Sequence, residues 1–293
     1  ITLKQLTASF LSLLAATTRG IVPLNFEEKV VDPKVKTLGS GPYQLAEFSS
    51  SAVRLVRYDR YWRKDAHGTR LPYADSIIYR VIPDAATLRA ALRAGELDLI
   101  IGFGVDVTAT KALAGVPDLR IHSVPDLSYS LLGIQHERAP LGDVRVRQAL
   151  SLAVDRKQLI DVVYSGRGSI AGPIPPTLKG WQPLPAVQLP NYRPDPARSR
   201  ELLALAGHPR GISIKMMPIP TVPEAVQIAQ VLKEQLARAG VTVEIEQVDF
   251  ATFLARWRGS QFDTFVSLNG GAVDPDIHLY RHIHSTGSTN VFK

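Results

Sequence analysis

His278, His282 and His284 put three metal-capable side chains within seven residues near the carboxyl end of the chain. His278 and His282 are four apart, so on a helix both imidazoles project from one face, as they do in zinc and nickel sites. No Glu follows the first of them in the H-E-x-x-H sense, and Leu279 and Ile283 read equally well as the packed face of an ordinary helix. No metal site is assigned on this spacing. Ser128, Ser130, His136 and Asp143 supply a nucleophile, a base and an acid within sixteen residues, but neither serine sits in a G-x-S-x-G elbow. Gly102-Phe103-Gly104 lacks the third glycine of a dinucleotide fingerprint. With zero cysteines, thiolate catalysis, thiolate metal sites and disulfides are excluded. The reading is therefore of no catalytic residue and no cofactor.

Binding chemistry is better represented. Gly102-Phe103-Gly104 and Asn269-Gly270-Gly271 each follow an apolar run that reads as a strand. In open α/β sheets ligands bind beyond the carboxyl ends of strands, where loops free of bulky side chains expose backbone groups. Both loops are candidates, and both also fit plain strand-to-helix turns. If they face each other, they bracket one cleft. A bulky residue at Gly271 is then expected to block capture and leave the fold intact. Arg258, with Arg256 before it, could hold a carboxylate through paired N–H groups, or lie exposed at a helix end. Tyr129 could lay its ring on a ligand or serve as a core aromatic. Asp274 and Asp276 are the acids nearest the second loop.

The elements that must position these residues alternate strand and helix. Ile77–Ile82 is a β-branched strand, Asp84 caps a helix stopped by Gly95, and Leu97–Ile101 is the next strand. Val107–Ala114 reads as a helix and Leu119–Val124 as a strand. The order repeats later: strand Ile212–Met217, a helix opened by the capping box Thr221-Val222-Pro223-Glu224 and ended at Gly240, strand Val241–Val248, helix Phe250–Trp257, strand Phe262–Leu268. Such alternation predicts two α/β units, each with a largely parallel sheet. Between them, Pro125–Ile134 holds an apolar strand. Asp143 opens a helix with Val146, Leu150 and Val154 at helical spacing, carrying Arg145 and Arg147, with Arg156 beside Asp155, and a buried helix with fixed ion pairs is expected. The proline- and glycine-rich run 166–196 predicts an irregular surface excursion, because proline lacks an amide donor and fixes φ.

The chain has 293 residues, 45% of them hydrophobic and 21% charged, enough apolar material for two cores. No apolar run approaches the roughly 20 residues that span a bilayer. The net charge of +7 and pI near 9.6 raise a polyanion partner. The densest basic group, Arg54, Arg57, Arg60, Arg63 and Lys64 with Tyr58, Tyr61 and Trp62, alternates as a strand with a solvated face, so no nucleic acid partner is expected.

Five segments in order resemble the family 5 solute-binding proteins, the dipeptide, oligopeptide and nickel class of ABC-importer receptors. They are Gly39-Ser40-Gly41-Pro42-Tyr43 with Arg57 to Trp62; Val81-Ile82-Pro83-Asp84 with Gly95-Glu96-Leu97-Asp98; Pro140 to Arg156; Tyr192 to Pro196 running into Leu202 to Gly207; and Phe262-Asp263 with Asp274-Pro275-Asp276. The resemblance implies an α/β, two-lobed periplasmic-binding-protein-like fold (class II) with lobe I incomplete. Residues 1–125 would be partial lobe I and residues 126–293 lobe II after the hinge strand. Against the family pattern Ile1–Pro23 resembles a segment inside the first lobe and Lys293 falls before the closing segment. A fragment is therefore expected, without a signal peptide.

The implied function is capture of a small solute, peptide-like or a modified peptide, and delivery to an ABC permease in the membrane, by a monomer in the periplasm or outside the cell. A nickel or metal-chelate receptor of the same family and an α/β enzyme acting on a small polar substrate are the alternatives. The family's peptide receptors commonly carry an aspartate just before the Asp-Pro-Asp element, paired with a free α-amino group. Here Asn269-Gly270-Gly271-Ala272-Val273 holds no carboxylate. A buried ammonium without a counter-charge costs several kcal/mol, so free-amino peptides should bind poorly unless Asp274 or Asp276 substitutes.

Overall fold

The computed structural model describes residues 2–3, 9–15, 39–100, 110, 113–178, 181 and 184–292. The chain divides into two compact units, Leu13–His122 and a second made of Ile1–Ser12 with Ser123–Lys293.

In the Leu13–His122 unit, β1 (Tyr43–Phe48), β2 (Ala52–Arg57) and β3 (Ser76–Arg80) form an antiparallel sheet in that order. A parallel arrangement was the expectation, and the connection length rules it out: only residues 49–51 join β1 to β2, whereas a parallel crossover needs about a dozen. The Ser49 hydroxyl accepts from the amides of Ser51 and Ala52 and closes that hairpin. Helix α2 (Ala85–Arg93) begins where Asp84 accepts from the Thr87 amide at 2.7 Å and is followed by Gly95 at φ +74°. The strands expected at 97–101 and 119–124 do not form among the described residues. A strand needs a ladder partner, and Leu99 stands 69% exposed without one. The two arginines of the basic group that lie on β2 are paired in place, Arg54 with Glu47 and Arg57 with Asp59 and Asp75.

The second unit is built on a four-stranded mixed sheet in the order β4-β7-β5-β6, where β4 is Tyr129–Ile134, β5 Ile212–Pro218, β6 Val241–Ile245 and β7 Thr264–Asn269. β5 runs parallel to both β6 and β7, while β4 pairs antiparallel to β7. Two strand–helix–strand passages make the parallel part, through α6 (Pro223–Arg238) and α7 (Phe250–Arg258). The helix α6 starts on Val222 with Pro223 in its first turn and no side-chain cap, so the capping box expected from Thr221 and Glu224 is not made. Proline has no amide to satisfy, which lowers the need for one. The expected Gly240 stop is present, at φ +85°.

One face of the sheet is covered by α6 together with α3 (Val144–Ala153), α4 (Arg156–Tyr164) and α5 (Pro196–Leu205). Val146, Ala149, Leu150, Leu203, Met216, Ala229, Leu236, Val241 and Val266 are buried there in one cluster. The other face is aromatic: Phe253, Phe262 and Phe265 pack with Met217 and Val291, and Phe292 stacks on Phe265. β5 shows why both faces close, since Met216 and Met217 point to opposite sides and both are buried.

Asp143 caps α3, as its spacing implied, and pairs with Arg145, which holds its carboxyl down at about 2. Arg156 departs from the expected ion pairs: no carboxylate of the described residues bridges it. Its guanidinium instead donates to the Ser151 hydroxyl and to the carbonyls of Ser151, Val154 and Tyr192, and lies 4.0 Å over the Tyr192 ring. Arg156 therefore ties α3, α4 and the approach to α5 together through neutral acceptors. Gln235 does the same from α6, exchanging hydrogen bonds with the Asp155 backbone on both sides. The described residues of the 166–195 run are irregular apart from one short 3-10 turn, Ala186–Gln188, and α5 begins at Pro196.

The helical cover makes Leu236, fully buried on α6, a stringent test of this core. Leu236→Ala should cost about 2–5 kcal/mol. It should lower the urea midpoint of the full-length protein at unchanged m, while Leu205→Ala, at 62% exposure, should change stability by less than about 0.5 kcal/mol.

Candidate functional site

The pairing of β4 with β7 sets Tyr129, the first residue of β4, opposite Asn269, the last residue of β7. That places both at the carboxyl end of β7, where the chain turns through Gly270 and Gly271 into α8 (Pro275–Ile283). α8 then returns His278 and His282 to the same two side chains. The Asn269 amide nitrogen lies 2.7 Å from the Tyr129 hydroxyl and 3.0 Å from His282 Nε2, and the Tyr129 hydroxyl lies 2.8 Å from His278 Nε2. His282 Nδ1 is 2.9 Å from the Thr289 hydroxyl, which donates onward to the Arg281 carbonyl. Tyr129 meets the edge of the His278 ring with centroids 5.1 Å apart, and the two imidazoles are also 5.1 Å apart.

Local sequence explains how α8 is held. Asp274 accepts from the Asp276 amide as its cap, and Pro275 occupies the first turn. Ser9 and Ser12 add hydroxyl donors to Asp276 and Asp274 at 3.0 and 3.4 Å, Ser12 from α1 (Phe10–Leu14). At the other end, Gly287 packs against the Tyr280 and Arg281 carbonyls so closely that a Cβ would collide with them. That close approach brings Thr289 to His282.

Burial pushes the His282 pKa down to about 4, with the neighbouring His278 and Arg281 charges adding to the effect. Burial lowers His278 as well and raises the Tyr129 phenol. At neutral pH the cluster is thus two neutral imidazoles, a phenol and a carboxamide: a hydrogen-bonding surface with no ionised group among its four members.

The other residues singled out in the sequence fall in different places. Gly270 has open space where a Cβ would stand. Gly271 does not: a Cβ there would run into the carbonyl and Cβ of Leu127, in the turn before β4. Gly271 is therefore a packing glycine, and the expectation that a bulky residue there leaves the fold intact fails on contact with that backbone. Asp274 and Asp276 serve the start of α8. Arg258 is the last residue of α7, ahead of the 259–263 link to β7, and no hydrogen bond or ion pair ties it to Asn269 among the described residues; Arg256 on the same helix pairs with Glu246. Gly102, Phe103 and Gly104 lie outside the described residues.

The catalytic and metal constellations weighed in the sequence are not assembled among the described residues. Ser128 bonds Asp126, Ser130 bonds Tyr164, and Asp143 caps α3, so no serine–histidine–aspartate relay is assembled from them. His278 and His282 do share a face of α8, but among the described residues no third His, Cys, Asp or Glu joins them to hold a metal ion. Thr289, Ser9 and Ser12 were not anticipated. They carry no motif, and only the folded chain brings them to α8.

An α/β chain with a polar cluster at the carboxyl end of a parallel strand fits the two-lobed periplasmic-binding-protein class. The pattern of the bacterial extracellular solute-binding proteins, family 5 Middle, matches residues 1–290, and the chain belongs to this family. A heme-binding protein A of Haemophilus influenzae is 28% identical over 99% of this chain and 53% of its own length. A glutathione-binding protein of Salmonella paratyphi A is 30% identical over 85% of this chain and 47% of its own. Among solved structures, a periplasmic binding protein of Agrobacterium tumefaciens in complex with mannopinic acid superposes with a TM-score of 0.79 at 27% identity, over 99% of this chain and 59% of that one. A Helicobacter pylori periplasmic binding protein holding the peptide STSA gives 0.76 at 25%, over 93% and 52%. The chain spans about half the length of the curated relatives it matches.

Two outcomes follow from the site. Gly271→Ala should destabilise the protein by about 1–3 kcal/mol through overpacking on Leu127, while Gly270→Ala should shift the melting temperature little. Because His282 is held neutral when folded, the unfolded chain binds more protons below its ordinary pKa of 6.5. The stabilising contribution is complete above pH 6.5 and lost as pH falls from there toward about 4. Unfolding free energy measured against pH should decline across that window, and His282→Asn should flatten the decline.

Proposed function

We propose that this chain is the solute-capturing part of an ABC-importer receptor. It would take up a small solute, peptide-like or a modified peptide, in the periplasm or at the cell surface, and present it to a membrane permease. The observation that carries the reading is the Tyr129–Asn269–His278–His282 cluster at the carboxyl end of β7. That end is where open α/β sheets bind ligands, and the cluster supplies donors and acceptors without a nucleophile. Relatives named for binding glutathione, dipeptides and heme, and solved neighbours holding a peptide or mannopinic acid, support a polar organic solute. Capture needs no chemical step. The solute favours the conformation it binds best, and the permease recognises that conformation. A monomer suffices for this.

Native mass spectrometry of the full-length receptor purified from its source should show one retained small molecule per chain. Added back at a hundred times its Kd, that molecule should stabilise the stripped protein by about 2.7 kcal/mol. It should be recovered unchanged; its conversion to a product, or a receptor that neither retains nor responds to any solute, overturns the reading.

A further inference from the structure

We propose that the link between β2 and β3 is a membrane-docking tip, which rests the protein on a bilayer surface rich in anionic phospholipid. The proposal goes beyond solute capture and holds whatever the solute is.

The link, residues 58–75, folds back on itself as a small hairpin. Lys64 and Arg70 form an antiparallel bridge, and the Leu71 amide donates to the Arg63 carbonyl beside it. Asp65 closes the turn: its carboxylate accepts from the amides of His67 and Thr69, both at 2.8 Å, and from the Tyr73 hydroxyl at 2.7 Å. Every residue from 62 to 70 except Asp65 is exposed, so the hairpin stands out from the sheet that carries it.

The charge on this tip is unbalanced. Residues that face each other across an antiparallel bridge put their side chains on one side, where like charges repel. Lys64 and Arg70 are such a pair, and neither has an ion pair among the described residues. Arg70 is aimed by a neutral acceptor, the Asp59 carbonyl at 2.7 Å. From Arg57 to Asp75 the sequence sets Arg57, Arg60, Arg63, Lys64 and Arg70 against Asp59, Asp65 and Asp75. Asp59 and Asp75 are both spent on Arg57, and Asp65 holds the turn, so Arg60 and Arg63 are also without an ion pair among the described residues.

Trp62 lies two residues before Lys64, the spacing that shares a side along extended chain. Its indole is 74% exposed, and Tyr73 is 68% exposed. Cations without counter-charge beside a bare indole match the bilayer interface, where phosphates meet Lys and Arg and where Trp and Tyr settle at headgroup level. A soluble phosphate needs a hollow to hold it, and these side chains stand on a protrusion. An acidic protein segment would answer the cations; a bilayer answers the cations and the indole together.

The test is co-sedimentation of the full-length protein with vesicles of phosphatidylcholine alone and of equal parts phosphatidylcholine and phosphatidylglycerol. At low salt, retention on the anionic vesicles should exceed that on the neutral ones by about fivefold or more, and it should fall as salt screens the charges. Lys64→Ala should lower retention roughly fivefold, the worth of one basic side chain at such a surface, and Lys64→Glu should lower it further. Arg200→Ala, which removes an exposed cation of α5 in the other unit, should leave it unchanged. Trp62→Ala should remove most of the blue shift in tryptophan emission that the anionic vesicles induce. Equal retention of the unaltered protein on the two vesicle types overturns the proposal, however the variants fold. A loss from Arg200→Ala as large as that from Lys64→Ala also overturns it, because the attraction would then belong to the +7 chain as a whole. Release of the bound protein by soluble glycerol phosphate would make the tip a small-anion site, and preference for polyglutamate over vesicles would make it an acidic-protein site; either result overturns the bilayer as occupant. The retained-solute mass spectrum decides the receptor reading separately.

Discussion

The seat that Gly133 gives to Phe265 governs the rest of the Ser123–Lys293 unit. A Cβ at Gly133 would collide with the Phe265 ring, so only glycine lets that ring lie across β4. There Phe265 completes the aromatic layer with Phe253, Phe262 and Phe292. Gly133 and Phe265 are also directly paired residues of the β4–β7 ladder. A slip of one residue would drive Phe265 off its glycine and turn the buried side chains of β7 to the wrong face. The register that satisfies this fit also sets Tyr129 opposite Asn269 at the far end of the ladder, so apolar packing at one end of β4 fixes polar geometry at the other.

From that end the cluster is assembled by satisfaction of buried polar groups. Two imidazoles, His278 buried and His282 partly so, are tolerated because each has a neutral partner and neither must carry charge. Hydrogen bonds link Thr289, which donates to the Arg281 carbonyl, with His282, Asn269, Tyr129 and His278 in turn. The fixity of the cluster depends on α8, and α8 is held by a proline in its first turn, an aspartate cap and two serines from the start of the chain. A similar economy operates at Arg156 and Gln235, where helices are joined through backbone carbonyls instead of ion pairs.

Much of this was legible in the residues. Asp84, Asp143 and the glycines after α2 and α6 mark helix boundaries by local chemistry, and the strands read from apolar runs at 212–217 and 262–268 form at 212–218 and 264–269. The family resemblance was legible too, because its motifs are short and contiguous. The antiparallel sheet of the Leu13–His122 unit was misread: an apolar run says strand but does not name its neighbour, and the three-residue link between β1 and β2 was the overlooked clue. At the candidate site, Asn269 and Gly270 were singled out from their place after an apolar run and Tyr129 for its ring, but the pairing of Tyr129 with Asn269 was not read from the sequence. At Gly271 the sequence did not show the close approach of Leu127, and His278 and His282, weighed as metal ligands, have a phenol, an amide and a threonine as partners.

The linear chain by itself determined the α/β class, the caps, the absence of thiol chemistry and the family, because each depends on residue type or on neighbours a few positions apart. Only the tertiary structure decided the partners of the Asn269 side chain, the lowered pKa of His282 and the use of Gly133 and Gly271. Hydrogen-bond pairing, desolvation and steric fit are properties of atoms brought together across 140 residues, from Tyr129 to Asn269, and no spacing along the chain encodes them.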